Sequence, residues 1–108
     1  MIQINKDKWN IIFVPFNHNK LYRSNNTLSL AACDNSTKTI YINNDLNGAS
    51  LRKVLCHEIT HAVIFSYNVD LTIEQEELFA NLISIYGDEI IYITNQALKE
   101  IQKNPLYN

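Results

Sequence analysis

Cysteine is scarce: Cys33 and Cys56 are the only two in 108 residues. Two thiols cannot build the disulfide framework of a small secreted domain, so a reducing, cytoplasmic setting is expected. Basic clusters are missing as well. The formal net charge is −2, with no Lys/Arg-rich block or helix face. That argues against nucleic acid or an anionic membrane as the partner. No run of about 18 apolar residues occurs, so no membrane-spanning helix is expected. Met1 to Asn10 lacks the apolar core of a signal peptide. There is no internal repeat, low-complexity segment or linker, and the length suits one domain over residues 1–108.

What is present is an ordinary globular composition, 46% hydrophobic and 19% charged, which argues against disorder. The first third reads as β structure. Ile2-Gln3-Ile4 alternates, Asn5 to Lys8 supplies turn residues, and Trp9 to Val14 is rich in β-branched and aromatic residues up to Pro15. Alternation puts Trp9, Ile11 and Phe13 on one side and Ile12 and Val14 on the other. Both sides are apolar, which suggests a strand covered on both faces. Phe16 to Thr27, with Asn17, His18, Asn19, Ser24, Asn25 and Asn26, reads as a polar loop around Leu21-Tyr22. Leu28 to Cys33 and Thr39 to Asn43 read as an antiparallel hairpin around the turn-forming Asp34 to Lys38. Ile40 and Ile42 share one face of the second strand, and Tyr41 takes the other.

Ser50 is a plausible N-cap for a helix over Leu51 to Tyr67. Val54, Leu55, Ile59, Ala62, Val63, Ile64 and Phe65 spread round its axis, the pattern of a central, buried helix. A second helix should begin at Ile73. Thr72 and Gln75 form a capping box before it, and Glu74, Glu76 and Glu77 suit its dipole. Gly87 is the expected break near Tyr86. A third helical stretch follows, with Ile90, Ile93, Ala97, Leu98 and Ile101 at helical spacing, and Asn104-Pro105 ends it.

The first helix carries His57, Glu58 and His61, an H-E-x-x-H pattern. Chance would give such a match in roughly one chain in a hundred of this length. Three ionisable groups in an apolar helix need partners, because burying them unpaired is costly. Four residues turn a helix by a net offset of roughly 40°, so both imidazoles can reach one metal ion. Glu58 between them can take a proton from a water held there. Cys56 points about 100° away from His57 and reads as a buried thiol.

A catalytic zinc needs a third protein ligand. The metzincin extension would require Gly at position 64 and His at position 67. Ile64 and Tyr67 stand there, and no histidine follows His61. His18, in the Asn-rich loop, reads as exposed and not as a ligand. A carboxylate from the next helix remains: Asp70, Glu74, Glu76 or Glu77. Glu77 is favoured, with Glu76 next, because Asn81 lies one turn after Glu77 and can support a ligand histidine. Leu78 and Phe79 would pack beside the site.

Thr39 to Asn43, Lys53 to Ala62 and Glu77-Leu78-Phe79-Ala80-Asn81 together resemble the small metallopeptidases of the ImmA/IrrE-like group, many from phages and mobile elements. The last segment resembles that group's E-x-x-A-[ND] pattern, and Tyr86-Gly87 with Asp88-Glu89 resembles its short phage versions. The resemblance implies His57, His61 and Glu77 as zinc ligands, Glu58 as base and Asn81 as second support. The sequence departs from larger members at Ile83 to Tyr86, where they carry an apolar L-L-M-P-like segment.

The expected fold is therefore α+β: a small, mainly antiparallel N-terminal sheet packed on zincin-like helices with a C-terminal helix. The expected function is zinc-dependent hydrolysis of peptide bonds in a protein or peptide substrate. The alternatives are a zinc-stabilised binding module with weak or no activity and a metal-free interaction protein. Thr39 to Asn43 is a candidate strand for aligning substrate. Tyr41, Tyr67, Tyr86 and Tyr92 are all candidates for stabilising the transition state.

Overall fold

The structure, a computed structural model, describes residues 1–23 and 25–103. The expectations placed on Ser24 and on Asn104-Pro105 lie outside the described residues. The fold is α+β, as expected. Strands β1 (Ile2–Ile4), β2 (Asp7–Val14), β3 (Ala31–Asp34) and β4 (Thr39–Asn43) precede helices α1 (Gly48–Ser66) and α2 (Ile73–Lys103). The sheet order is β1-β2-β4-β3. Two of its three pairings are antiparallel; β2 and β4 run parallel, with Ile11 opposite Ile40. No described helix is long and apolar enough to cross a membrane.

The β3–β4 hairpin forms where turn residues cluster. The Asp34 carboxylate accepts from the Ser36 backbone N–H at 3.0 Å and from its hydroxyl at 2.6 Å, closing an Asx turn. Leu28 to Leu30 do not join β3; the strand begins at Ala31. Ser29 serves the preceding loop instead, while the Leu30 carbonyl still accepts from Asn43 N–H. Ser29 N–H and Oγ both donate to the Leu21 carbonyl at 2.8 Å.

Ile4, Trp9, Ala31, Ile40, Ile42 and Ala62 form the core between the sheet and α1. Ile40 and Ile42 are fully buried and Tyr41 is half-buried, as alternation requires. Trp9 is also fully buried. Its indole N–H donates to Ser66 Oγ at 2.8 Å, and Asn5 Nδ2 donates to the Ser66 carbonyl at 3.0 Å. The start of the sheet is thus tied to the last turn of α1. β2 is covered on both faces only in part: Val14 is buried, but Ile12 and Phe13 are exposed. The polar loop contributes a short 3-10 turn, Asn19–Leu21, that packs on β3 and β4. His18 is half-buried there, not exposed. Its Nδ1 accepts from Lys20 N–H at 3.1 Å, and its ring stacks on Tyr41.

α1 starts earlier than the Ser50 cap implied. Leu51 N–H already donates to the Asn47 carbonyl at 3.1 Å. Gly48 sits at φ +54°, a left-handed turn into the helix that glycine makes at little cost. The capping box of α2 forms as expected: Thr72 N–H donates to Gln75 Oε1 at 3.0 Å, and Gln75 N–H to Thr72 Oγ1 at 3.1 Å. The break at Gly87 does not form, and among the described residues there is no separate C-terminal helix. α2 runs on to Lys103. One interior glycine costs about 1 kcal/mol, less than the loss of continuous helical hydrogen bonding on both sides.

Candidate metal centre

α1 and α2 position the site between them. Helical spacing stacks His57 and His61 one turn apart, with ring centroids 5.0 Å apart. Their Nε2 atoms lie 3.2 Å apart. Glu77, in the early part of α2, reaches both rings. Its Oε2 is 3.2 Å from His57 Nε2, and its Oε1 is 3.0 Å from His61 Nε2. One ligand atom from each of the three residues lies within 4.8 Å of the others.

Glu76 makes a different contact. Its Oε1 meets His61 Nδ1 at 2.6 Å, on the far side of the ring. A neutral His61 that donates its Nδ1–H to this carboxylate has only a lone pair at Nε2. That lone pair then faces the Glu77 carboxylate and the second ring nitrogen. Acceptors turned toward one another at such distances call for a proton or a cation between them. Ligands about 2.0–2.1 Å from a tetrahedral ion stand roughly 3.3 Å from one another, so these spacings suit a zinc-sized cation. Two imidazole nitrogens and one carboxylate oxygen also form a donor set that zinc accepts. The residues fit the metal.

The surroundings of His57 favour its ligating form. Burial holds the His57 pKa below its usual value; the Glu77 charge and hydrogen bonding from Glu77 and Asn81 work the other way, while His61 adds to the lowering. A neutral imidazole is the metal-binding form. Glu58 is buried beside the cluster, and its pKa is pushed up to about 7, first by burial. The His61 and Arg23 charges oppose that rise, and Glu77 adds to it.

Three of the expected side chains therefore meet, Glu58 adjoins them, and Asn81 acts on His57. Glu76 belongs to the site but on the far nitrogen of His61. Among the described residues, Asp70, Glu74 and His18 are not part of the cluster. Leu78 and Phe79 are 65% and 43% exposed and are not among the residues that line the cleft. Cys56 is half-buried on another side of α1, in a groove against α2.

The cleft shows residues that the motif does not announce. A space of about 590 Å³ lies beside His57, Glu58 and His61 and is walled by Tyr22, Arg23 and Cys33. A second, of about 380 Å³, shares Arg23, Ser29, Ala31, His57 and Glu58 with it. Together they extend to either side of Glu58. Tyr22 and Arg23 come from the Asn-rich loop, where no periodic pattern marks them. Cys33 has its thiol pKa pushed up to about 12, chiefly by burial and then by the charges of Glu58, Glu76 and Asp34.

Comparison with known families matches residues 7–104 to the IrrE N-terminal-like domain, a peptidase family. The chain belongs to that family. No curated protein and no solved structure gives a match. The match takes in β2, β3, β4, α1 and all of α2, so the whole cleft lies inside the IrrE N-terminal-like domain. The domain is metallopeptidase-like, and it contains a His-His-Glu group that could hold a metal ion.

Proposed function

We propose that this domain hydrolyses peptide bonds with a zinc ion held by His57, His61 and Glu77. The observation that carries the reading is the convergence of those three side chains beside a buried carboxylate, Glu58, in a peptidase family. When bound there, zinc supplies Lewis acidity and makes water a better nucleophile near neutral pH. Glu58 takes the water's proton and returns it to the leaving amine. Its raised pKa, about 7, lets one carboxyl group hold and release that proton at neutral pH. Asn81 and Glu76 orient His57 and His61 respectively.

Thr39–Asn43 is excluded as the strand that aligns substrate. β4 is paired on both sides, by β2 and by β3. Of the two edge strands, β1 and β3, it is β3 whose Ala31 and Cys33 line the cleft. Asn43 N–H donates to the Leu30 carbonyl at 3.0 Å, so antiparallel alternation turns the backbones of Ala31 and Cys33 to the open side. An extended peptide can add to that edge and pass over Glu58.

The tyrosines expected to stabilise the transition state do not line this cleft. Tyr41 stacks on His18, and Tyr67, Tyr86 and Tyr92 are exposed. Arg23 and Tyr22 stand there instead, and the Arg23 charge suits a carbonyl oxygen gaining negative charge. Zinc-loaded protein should cleave unstructured peptides, and Glu58→Gln should retain zinc while losing activity by about 10³-fold or more. A biological effect that survives Glu58→Gln with zinc bound would instead mark a metal-stabilised binding module. Arg23→Gln should lower kcat by about tenfold or more with KM little changed; an unchanged kcat would remove Arg23 from the mechanism.

A further inference from the structure

The two spaces beside Glu58 differ in charge. The larger is walled by Glu76 and Glu77 as well as Glu58, and Arg23 is the only Lys or Arg on it. The smaller, of about 380 Å³, is lined by Arg23 and Lys53, and Glu58 is its only acid. Even with Glu58 ionised, two cations there face one carboxylate. Asp88, the next acid along that face of α2, does not line the smaller space and is paired with Arg52 at 3.0 Å.

Helical spacing builds this positive side. Ser50, Lys53 and His57 stand three and four residues apart on α1, so they share a face. On α2, Asn81 and Ser84 follow Glu77 in the same way. The smaller space thus opens from the His57 side of the ligand cluster towards the start of α1. That start is the positive end of the helix. No acid stands in its first turn, and the Asn47 side chain makes no capping hydrogen bond. The other hydroxyls lining the space are committed: Ser84 Oγ donates to the Asn81 carbonyl at 3.1 Å, and Ser29 Oγ to the Leu21 carbonyl at 2.8 Å. Among the described residues, Lys53 has no ion-pair partner.

We propose, resting on the peptidase reading, that the smaller space is the subsite for an acidic side chain, Asp or Glu, of the peptide substrate, with the Lys53 ammonium as its partner. A peptide added to the β3 edge passes over Ala31, which lines both spaces. A residue next to the scissile bond then lowers its side chain beside His57 and meets Lys53 one turn, about 5.4 Å, further along the α1 axis. A carboxylate there accepts from the ammonium in a charge-assisted hydrogen bond, and the positive end of α1 adds to the attraction. A Lys or Arg side chain in the same place would meet two cations, so the subsite rejects as well as selects. Lys53 sets specificity and does not touch the reacting atoms.

Decapeptides blocked at both ends and differing at one central residue, Glu, Gln or Lys, test it with zinc-loaded protein. The Glu peptide should be cut at one fixed distance from the acid, with kcat/KM about tenfold above that of the Gln peptide, and the Lys peptide should be the poorest. Lys53→Glu should invert that order, and Lys53→Gln should flatten it. Lys53 is exposed on α1, so circular dichroism should show both variants folded. Binding of the same peptides to chelated protein, followed by fluorescence anisotropy, separates the subsite from the peptidase reading. Tighter binding of the Glu peptide, lost in Lys53→Glu, would uphold the acid-reading pocket even if no peptide were cut. Cleavage that ignores the central residue, or a Glu preference that survives Lys53→Glu, would overturn the subsite and leave the peptidase reading standing. So would a preference confined to a Gln peptide with a free C-terminal carboxylate, because the group recognised would then be a chain end. Neither cleavage nor binding of any peptide would overturn both.

Discussion

At the scale of single residues, two adjacent glutamates divide the work around one imidazole. Glu77 meets His61 at Nε2 and Glu76 meets it at Nδ1. Neighbours in a helix point about 100° apart, so both reach the ring only because it is wedged between them. Glu77→Ala should therefore abolish tight zinc binding, whereas Glu76→Ala should weaken it by about 10–100-fold, the usual cost of losing a carboxylate behind a ligand histidine. Competition with a chelating dye measures both, and equal losses would contradict the division. Glu58 gives a second prediction, in metal-free protein. Its folded pKa, about 7, is above the unfolded value near 4.5. The folded state therefore keeps a proton that the unfolded chain has released. The stability contribution is complete below about pH 4.5 and disappears as pH rises through 7. Chelated Glu58→Gln should lack that decline and be more stable than the parent at pH 8, by on the order of 3 kcal/mol. Urea titrations across pH 5–8 would show it, and parallel curves for the two proteins would refute it.

At the scale of elements, α2 shows which parts of a sequence carry their own instructions. Its start is fixed by the Thr72–Gln75 pair, each side chain bonded to the other's backbone N–H. Thr72→Ala should cost about 1 kcal/mol, read as a fall in the denaturation midpoint. Its continuation past Gly87 was not legible, because glycine is permissive and the residues beyond it keep helical spacing on either reading. Gly87→Ala should stabilise the fold by about 0.5–1 kcal/mol. The new Cβ would stand 3.4 Å from Ile83 Cγ2, an ordinary contact. A loss of stability would mean the backbone needs glycine there. The same contrast runs through the sheet and the site. His57 and His61 were legible because helical spacing is a local rule, Glu77 only as one of several carboxylates favoured by Asn81 one turn later, and β4 because Ile40 and Ile42 alternate with Tyr41. The parallel β2–β4 pairing was not, since it joins segments separated by the whole loop and hairpin. That pairing made β3 the free edge beside the cleft. Tyr22 and Arg23 were illegible for a related reason: tertiary packing brings their loop over the site, and no repeat in the loop encodes it.

At the scale of the whole molecule, the candidate metal site would also be a joint. The sheet and α1 share the buried core, yet Ala80 is the only residue of α2 that is buried among those described. Among the described residues, the one ion pair between the helices away from the site, Arg52–Asp88, has side chains 73% and 81% exposed and holds little. Glu77 on α2 reaches both histidines on α1, so the cluster bridges the two helices. A cation held by all three would bind only when the helices are docked, so its binding free energy becomes docking free energy. At a thousandfold excess over Kd this is about 4 kcal/mol, an increase in Tm on the order of 10 °C or more for a domain of this size. Chelation should reverse it and open the connection between α1 and α2, residues 67–72, to limited proteolysis. Glu77→Gln should remove the zinc-dependent rise while leaving the metal-free Tm within a few degrees, because the core lies elsewhere. If zinc raised the Tm of Glu77→Gln as much as that of the parent, the ion would be held without α2, and the joint would have to be sought among α1 and the loop.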